Sequence, residues 1–393
     1  MSDTRPLSPG DVLLRLLARG TLCDAERARV RALVGPDVDW DWLLGEANAQ
    51  GVLPLVGWNL ERLGFARVPP AVLARLRAGR RSTAAFNALL AREFARLLQL
   101  LGEARIPAIP LKGVALAETL YDDPTLRVCA DMDVLVPRDR AREALRLLRA
   151  DGYASEFAER FFETLLLRRN IEYTLTRRQH GFEYVLDLHW GIGWSASDDR
   201  RAAEALWADS RPVSRWGVRT HAMSPEWELL TLAVHAARHG WRPLKWLVDV
   251  HDYCASRSLD ARKLRDTAER FGWLPALEQT LGACRMLFDT VPPPGVVPVP
   301  PERWDPRLAE QVGVASPEAL LPLRLIARPS AKARYLVRLL LVPTLAERRL
   351  VRLPSSLGLL YYPLRPMRLA GKWGWRAFGR SARAAFRWTP FPL

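Results

Sequence analysis

The chain has 393 residues, 49% of them hydrophobic, and carries 58 Lys and Arg against 43 Asp and Glu, a net charge of +15. That length supplies one large core and a second unit, and no apolar run approaches the ~20 residues that cross a bilayer as a helix. Cys23, Cys129, Cys254 and Cys284 form no Cys-x-x-Cys pair, so a reducing compartment and no structural zinc are expected.

The amino terminus, MSDTRPLSPGD, has proline and acids where a secretory signal needs a basic start and an apolar centre. The expected location is therefore cytoplasmic. From about Pro9 to Arg105 apolar residues recur every three or four positions in LLRLLARG, WLLGEANAQ, VLARLRAGR and AAFNALLAREFARLLQLLGEAR. This pattern predicts an N-terminal helical region over residues 1–105. Strands and helices then alternate over 106–198. IPAIPLKG reads as a short buried strand ending at Gly113, VALAETLY as a helix starting there, and the segment at Asp131 as a second strand. REALRLLRADG follows as a helix, and YTLTRR with FEYVLDLHW as a hairpin.

Residues 199–290 read as helices again, among them EWELLTLAVHAARHG, opened by Ser224 with Pro225 in its first turn. Seven prolines in the sixteen residues Val291 to Pro306 make 291–306 an extended, semi-rigid linker. The fold class is α+β, a small mixed sheet flanked by helical regions on both sides.

The remainder, 307–393, is basic and rich in aromatics. From Arg328 to Leu393 fourteen lysines and arginines stand against the single acid Glu347, so +13 of the whole chain's +15 lies there. The basicity is thus a property of the tail and no sign that the rest binds nucleic acid. Its arginines interleave with Leu, Trp373, Trp375, Phe378, Phe386 and Trp388. That combination suits an anionic membrane surface, which would place the protein at the inner face of the membrane. A helix packed on the protein with solvated arginines is the bland reading, and nucleic acid is the weaker partner.

The chemistry is concentrated between Leu111 and Trp190. Side chains alternate along a strand, so Asp131 and Asp133 project together while Met132, Val134 and Val136 face a core. Paired acids repel unless a cation lies between them, and Mg²⁺ is the hard, oxygen-seeking ion that suits them. In FEYVLDLHW, Glu183, Val185, Asp187 and His189 share one face and Tyr184, Leu186, Leu188 and Trp190 the apolar one. Asp187 is the third acid. With its strand beside the first, three carboxylates could bind two metals that clamp the attacking and leaving oxygens of a phosphoryl or nucleotidyl transfer. Upstream, Gly113 lets backbone approach an anion, and the first amides of the helix point donors at it. Lys112, one of only five lysines among the 58 basic residues, would add a point charge, and Arg127 a second phosphate contact. The bland alternatives are a solvated strand end for the acids and a surface ion pair of Arg127 with Asp122 or Asp123.

Lys112, Gly113, Tyr121, Arg127, Asp131, Asp133 and Asp187-Leu188-His189-Trp190 together resemble the uncharacterised bacterial nucleotidyltransferase family of the DNA polymerase beta-type superfamily, over roughly residues 85–255. The resemblance implies a nucleotidyltransferase core at 106–198 completed by the helical domain at 199–290. It implies that Asp131 and Asp133 bind both Mg²⁺ (or Mn²⁺) ions. Asp187 would complete one metal's shell and help activate the acceptor hydroxyl, with Lys112 and Gly113 against the nucleoside triphosphate. Most of the superfamily has Gly-Ser or Gly-Gly and a shorter interval before the acids. Here Lys-Gly precedes the 17 residues from Val114 to Ala130.

In HAARHGWRPLKWLVDVHDY, His235 and His239 share a helix face, but Ala236 stands where His-Glu-x-x-His needs its glutamate. Polar packing between helices is the expected role of the pair. The family has a similar His and Trp-Leu-x-Asp pattern behind the site, which here implies supporting or acceptor-pocket roles for His189, His239, Trp246 and Asp249. Lys245 would help stabilise phosphate charge. The reading is a metal-dependent transfer of a nucleoside monophosphate from an NTP to an acceptor hydroxyl or phosphate. Its alternatives are a catalytically silent nucleotide- or phosphate-binding regulator and a membrane-surface scaffold of an envelope or polysaccharide system. Substitution of Asp131 or Asp133 by Asn is expected to leave the fold intact.

Overall fold

The computed structural model describes residues 8–64, 67–121, 123–156, 159–193, 200–300, 323, 325–326 and 328–371. Five helices come first: α1 (Pro9–Leu17), α2 (Asp24–Leu33), α3 (Trp40–Ala49), α4 (Leu53–Arg62) and α5 (Pro70–Glu103). Ser8 opens α1 with a capping box, its hydroxyl accepting from the Asp11 amide while the Asp11 carboxylate accepts from the Ser8 amide. The segments VLARLRAGR and AAFNALLAREFARLLQLLGEAR are one 34-residue helix, α5. An interior glycine costs about 1 kcal/mol in a helix, yet α5 runs through Gly79, where a Cβ would approach the Leu53 side chain to 3.0 Å. The missing side chain is what lets α4 pack close.

The sheet consists of β1 (Ile109–Pro110), β2 (Met132–Leu135), β3 (Glu172–Gln179) and β4 (Phe182–His189), in the order β1-β2-β4-β3. β1 runs antiparallel to β2, β2 parallel to β4, and β3 antiparallel to β4. The expected hairpin turns at His180 and Gly181, both with positive φ (51° and 75°). Two such residues match the right-handed twist of the strands they join. Between strands lie α6 (Lys112–Leu120), a 3-10 turn at Pro124–Leu126, α7 (Ala141–Ala150) and α8 (Arg160–Arg169).

Residues 199–290 hold α9 (Arg200–Asp209), α10 (Pro225–Arg238), α11 (Lys245–Ser256), α12 (Ala261–Phe271) and α13 (Leu274–Phe288). They also hold a hairpin that the helical reading of this region did not contain, β5 (Arg211–Arg215) and β6 (Val218–Ala222). Its turn, Trp216-Gly217, again has positive φ at both positions. Most of its strand residues are exposed or half-buried, so little apolar alternation marks it in sequence; what fixes it is the Ala108 carbonyl, which accepts from the His221 amide and the Thr220 hydroxyl. Ser224 precedes α10 as expected, with Pro225 in the first turn. Its hydroxyl donates to Asp209, 2.6 Å away, rather than capping the helix.

Two large hydrophobic cores result among the described residues. Leu13, Leu17, Leu43 and Leu60 pack with Leu230, Val234 and Leu277, so the N-terminal helices share one core with α10 to α13. Phe94 and Leu98 of α5 and Leu145 of α7 pack under the sheet with Met132, Val134, Val136, Leu186 and Leu188. Leu135 belongs to the first core and its neighbours Met132 and Val134 to the second. The sheet therefore separates them, and Asp133 shares the face of Leu135 by the alternation of the strand.

Residues 291–300 return along α13, where the Val299 amide donates to the Glu278 carbonyl. The rest of the proline-rich segment, 301–306, and Trp373, Trp375, Phe378, Phe386 and Trp388 lie outside the described residues. α14 (Pro329–Leu341), α15 (Leu345–Leu350), a 3-10 stretch at Ser355–Leu360 and helical 361–371 form a C-terminal arm held on α8 by Phe162, Leu165 and Tyr361. No described helix is long and apolar enough to cross a membrane.

Candidate active site

β1 ends beside the start of β2, and the Leu111 amide donates to the Asp133 carbonyl. The chain then bends at Gly113 (φ 53°, ψ −135°), and a Cβ there would lie 3.2 Å from the Asp131 carbonyl oxygen. That is the mirror image of extended backbone, which glycine alone adopts freely. The bend sets Lys112 over Asp133, and α6 runs on from it.

The parallel register of β2 and β4 makes Asp133 and Asp187 direct partners, with Leu135 opposite His189. Asp133, Asp187 and His189 each offer a ligand atom, all within 4.8 Å of one another. Asp131 precedes β2 and is not in that trio, although the Asp133 charge pushes its carboxyl in the same direction as burial does, upward. Asp133 is 2% exposed. Its Oδ1 accepts from Lys112 Nζ at 3.0 Å and faces His189 Nε2 at 2.9 Å. Burial alone would raise its pKa, but Lys112, aided by His189, outweighs that and holds the carboxyl well below the usual range. Among the described residues no lysine or arginine pairs with Asp187 as Lys112 does with Asp133. Burial raises it, partly opposed by the Thr174 hydroxyl, which donates to Oδ1 at 2.6 Å.

Behind the trio the network continues. His189 Nδ1 lies 3.3 Å from Glu172 Oε2, and Arg238 donates to both Glu172 oxygens at 3.1 Å. Glu172, Thr174 and Arg238 carry no motif. The hairpin register could have found the first two: counting back from the Gln179–Phe182 pair puts Thr174 opposite Asp187 and Glu172 opposite His189.

His235 lies 3.3 Å from Lys112 through Nδ1, and an ammonium only donates, so the ring accepts there as a neutral imidazole. Burial, reinforced by Lys112, lowers His235 well below its ordinary value and, reinforced by Arg238, lowers His239 to about 4. Both rings pack on Trp246 with centroids 4.8 Å away. The pair thus forms polar packing that keeps the floor under Lys112 uncharged.

Arg127 is 5% exposed and points inward. Its guanidinium donates to both oxygens of Asp249 at 2.9 and 2.8 Å and to the Gly113 carbonyl at 3.3 Å. The phosphate contact expected of it is replaced by a clamp on the bend. Lys245 Nζ donates to the Val128 carbonyl at 3.1 Å, and burial, with Arg127, lowers its pKa.

The protein is thus of the mixed α+β class, with acids gathered on the parallel β2–β4 pair. Over residues 36–289 the chain matches the family described as uncharacterised nucleotidyltransferase, and it belongs to that family. Among solved structures it is similar to an antigenic nucleotidyltransferase-like protein from Paracoccidioides brasiliensis, at 16% identity, over 51% of this chain and 96% of that one, with a TM-score of 0.31. No curated protein matches the chain.

Proposed function

We propose that this protein transfers a nucleoside monophosphate from an NTP to an acceptor hydroxyl or phosphate, dependent on Mg²⁺ or Mn²⁺. The observation that carries this reading is the pairing of Asp133 with Asp187 across parallel strands, with His189 beside them, under the Gly113 bend. The donor set fits a hard divalent ion: two carboxylates and an imidazole, one carboxylate kept ionised against its burial. Asp133 and Asp187, with Asp131 or His189 completing the set, would hold the ion, which supplies charge neutralisation at the phosphates and activation of the acceptor oxygen. Lys112 and the amides after Gly113 would bind the triphosphate oxygens. Lys245, near Asp131, would add positive charge, and Arg127 acts by holding the bend. Glu172 and Arg238 orient the His189 ring, while His239, Trp246 and Asp249 hold the floor and the clamp.

A second reading, a silent nucleotide-binding regulator, draws on one observation. Lys112 Nζ already sits on the acid that a metal would need. Incubation with each labelled triphosphate and Mg²⁺ or Mn²⁺ separates the two. Transfer should be seen, and Asp131→Asn, Asp133→Asn and Asp187→Asn should each lower it by roughly a hundredfold or more. Transfer that survives Asp133→Asn sinks the proposal, and calorimetric binding without turnover supports the regulator.

A further inference from the structure

The C-terminal arm presents to solvent the face that a soluble helix would bury. On α14 the inward side carries Ala331, Tyr335 and Arg338: Ala331 is buried, burial pushes Tyr335 upward, and Arg338 donates to the Arg169 carbonyl at 2.9 Å. The outward side carries Leu336, Val337, Leu340 and Leu341, all exposed, Val337 by 56%. Leu359 and Leu360 of the 3-10 stretch stand exposed by 72% and 50%. An amphipathic surface helix of a soluble protein turns such residues to the core, so this apolar face requires a cover.

We propose that the cover is an anionic lipid bilayer. Residues 328–371 hold nine lysines and arginines against the single acid Glu347. Glu347 is itself buried and taken up by Arg365 and Arg368, and Glu156 and Glu159 pair with Arg349 and Arg348, which still leaves more cations than anions on the arm. Two copies meeting face to face would bring like charges together, whereas an anionic headgroup layer attracts both. The residue types choose between lipid and nucleic acid. Bases need aromatic platforms to stack on, and the exposed large apolar side chains described on the arm are aliphatic apart from Met367, as insertion at an acyl boundary requires. Exposed Arg352 and half-buried Lys332 lie on the same arm, placed to meet phosphate while the aliphatic residues enter.

The inward side of the arm faces the flank of the candidate site at electrostatic range. Tyr335 is within electrostatic reach of Arg238, and Arg238 pairs with Glu172, the neighbour of His189. Docking by this face would hold that flank next to the lipid.

Co-sedimentation of the full chain with phosphatidylcholine vesicles, with and without phosphatidylglycerol, tests the proposal in the absence of nucleotide, so its outcome is independent of catalysis. Binding is expected only with phosphatidylglycerol and should weaken as salt rises. Val337→Glu with Leu341→Glu should weaken it by roughly tenfold or more, as should Lys332→Glu with Arg352→Glu, with unfolding midpoints unchanged because these positions are exposed or half-buried. Failure of the full chain to bind, or binding unaltered by both pairs of substitutions, overturns the proposal. So does light scattering that shows Val337→Glu with Leu341→Glu converting a dimer to a monomer, which would make the face a contact between copies.

Discussion

Gly113 is the residue on which the phosphate side of the site turns. Its φ of 53° with ψ of −135° excludes a side chain, and the Asp131 carbonyl closes the space a Cβ would fill. Gly113→Ala should cost about 1–3 kcal/mol of stability in denaturant unfolding and lower nucleotide affinity, because the α6 amides move with the bend. The two adjacent acids respond differently. Asp131 is half-buried, and its substitution by Asn should leave the unfolding midpoint unchanged. Asp133 is buried beneath Lys112 and His189, so Asp133→Asn leaves an ammonium without its counter-ion and should also destabilise by about 1–3 kcal/mol.

At the scale of elements, Arg127 joins three of them. It follows the 3-10 turn, grips Asp249 of α11 and holds the Gly113 carbonyl at the head of α6. Asn87 of α5 donates to the Pro124 and Arg127 carbonyls at 2.9 and 2.8 Å, pinning the turn from the other side. Both members of the ion pair are buried, so removing one leaves the other unpaired. Arg127→Met should cost about 3–5 kcal/mol in chemical denaturation, whereas Arg127→Met combined with Asp249→Leu should regain most of it. Nucleotide binding should stay impaired in the double variant, since neither replacement holds the Gly113 carbonyl.

Across the whole molecule, Asp252 ties the link between α1 and α2 to the end of α6 and to α11. It accepts from the Gly20 amide at 3.0 and 3.1 Å and from the Tyr121 hydroxyl at 3.0 Å. Burial raises its pKa to about 7 despite these bonds. A carboxyl that holds its proton more tightly folded than unfolded favours the native state at low pH. Its contribution is full below the unfolded value of about 4 and is lost as pH rises through about 7. Asp252→Asn keeps the acceptor oxygen and removes the titration. Denaturant midpoints measured between these limits should therefore fall less with rising pH in the variant than in the parent protein.

The strand that carries Asp187, the alternation that turns it away from Leu186 and Leu188, the glycine bend and the helical flanks are properties of local sequence. Period, side-chain polarity and the conformational freedom of glycine act over a few residues, so they can be read without a fold. The inward turn of Arg127, the seat of Lys112 on Asp133, the relay through Glu172 and Arg238, and the weak β5–β6 hairpin depend on partners 14 to 123 residues away, such as Gly113 for Arg127 and His235 for Lys112. Only the tertiary structure decides them, because a buried charge takes whichever counter-ion the packing of distant elements brings within reach, and no local pattern encodes that choice.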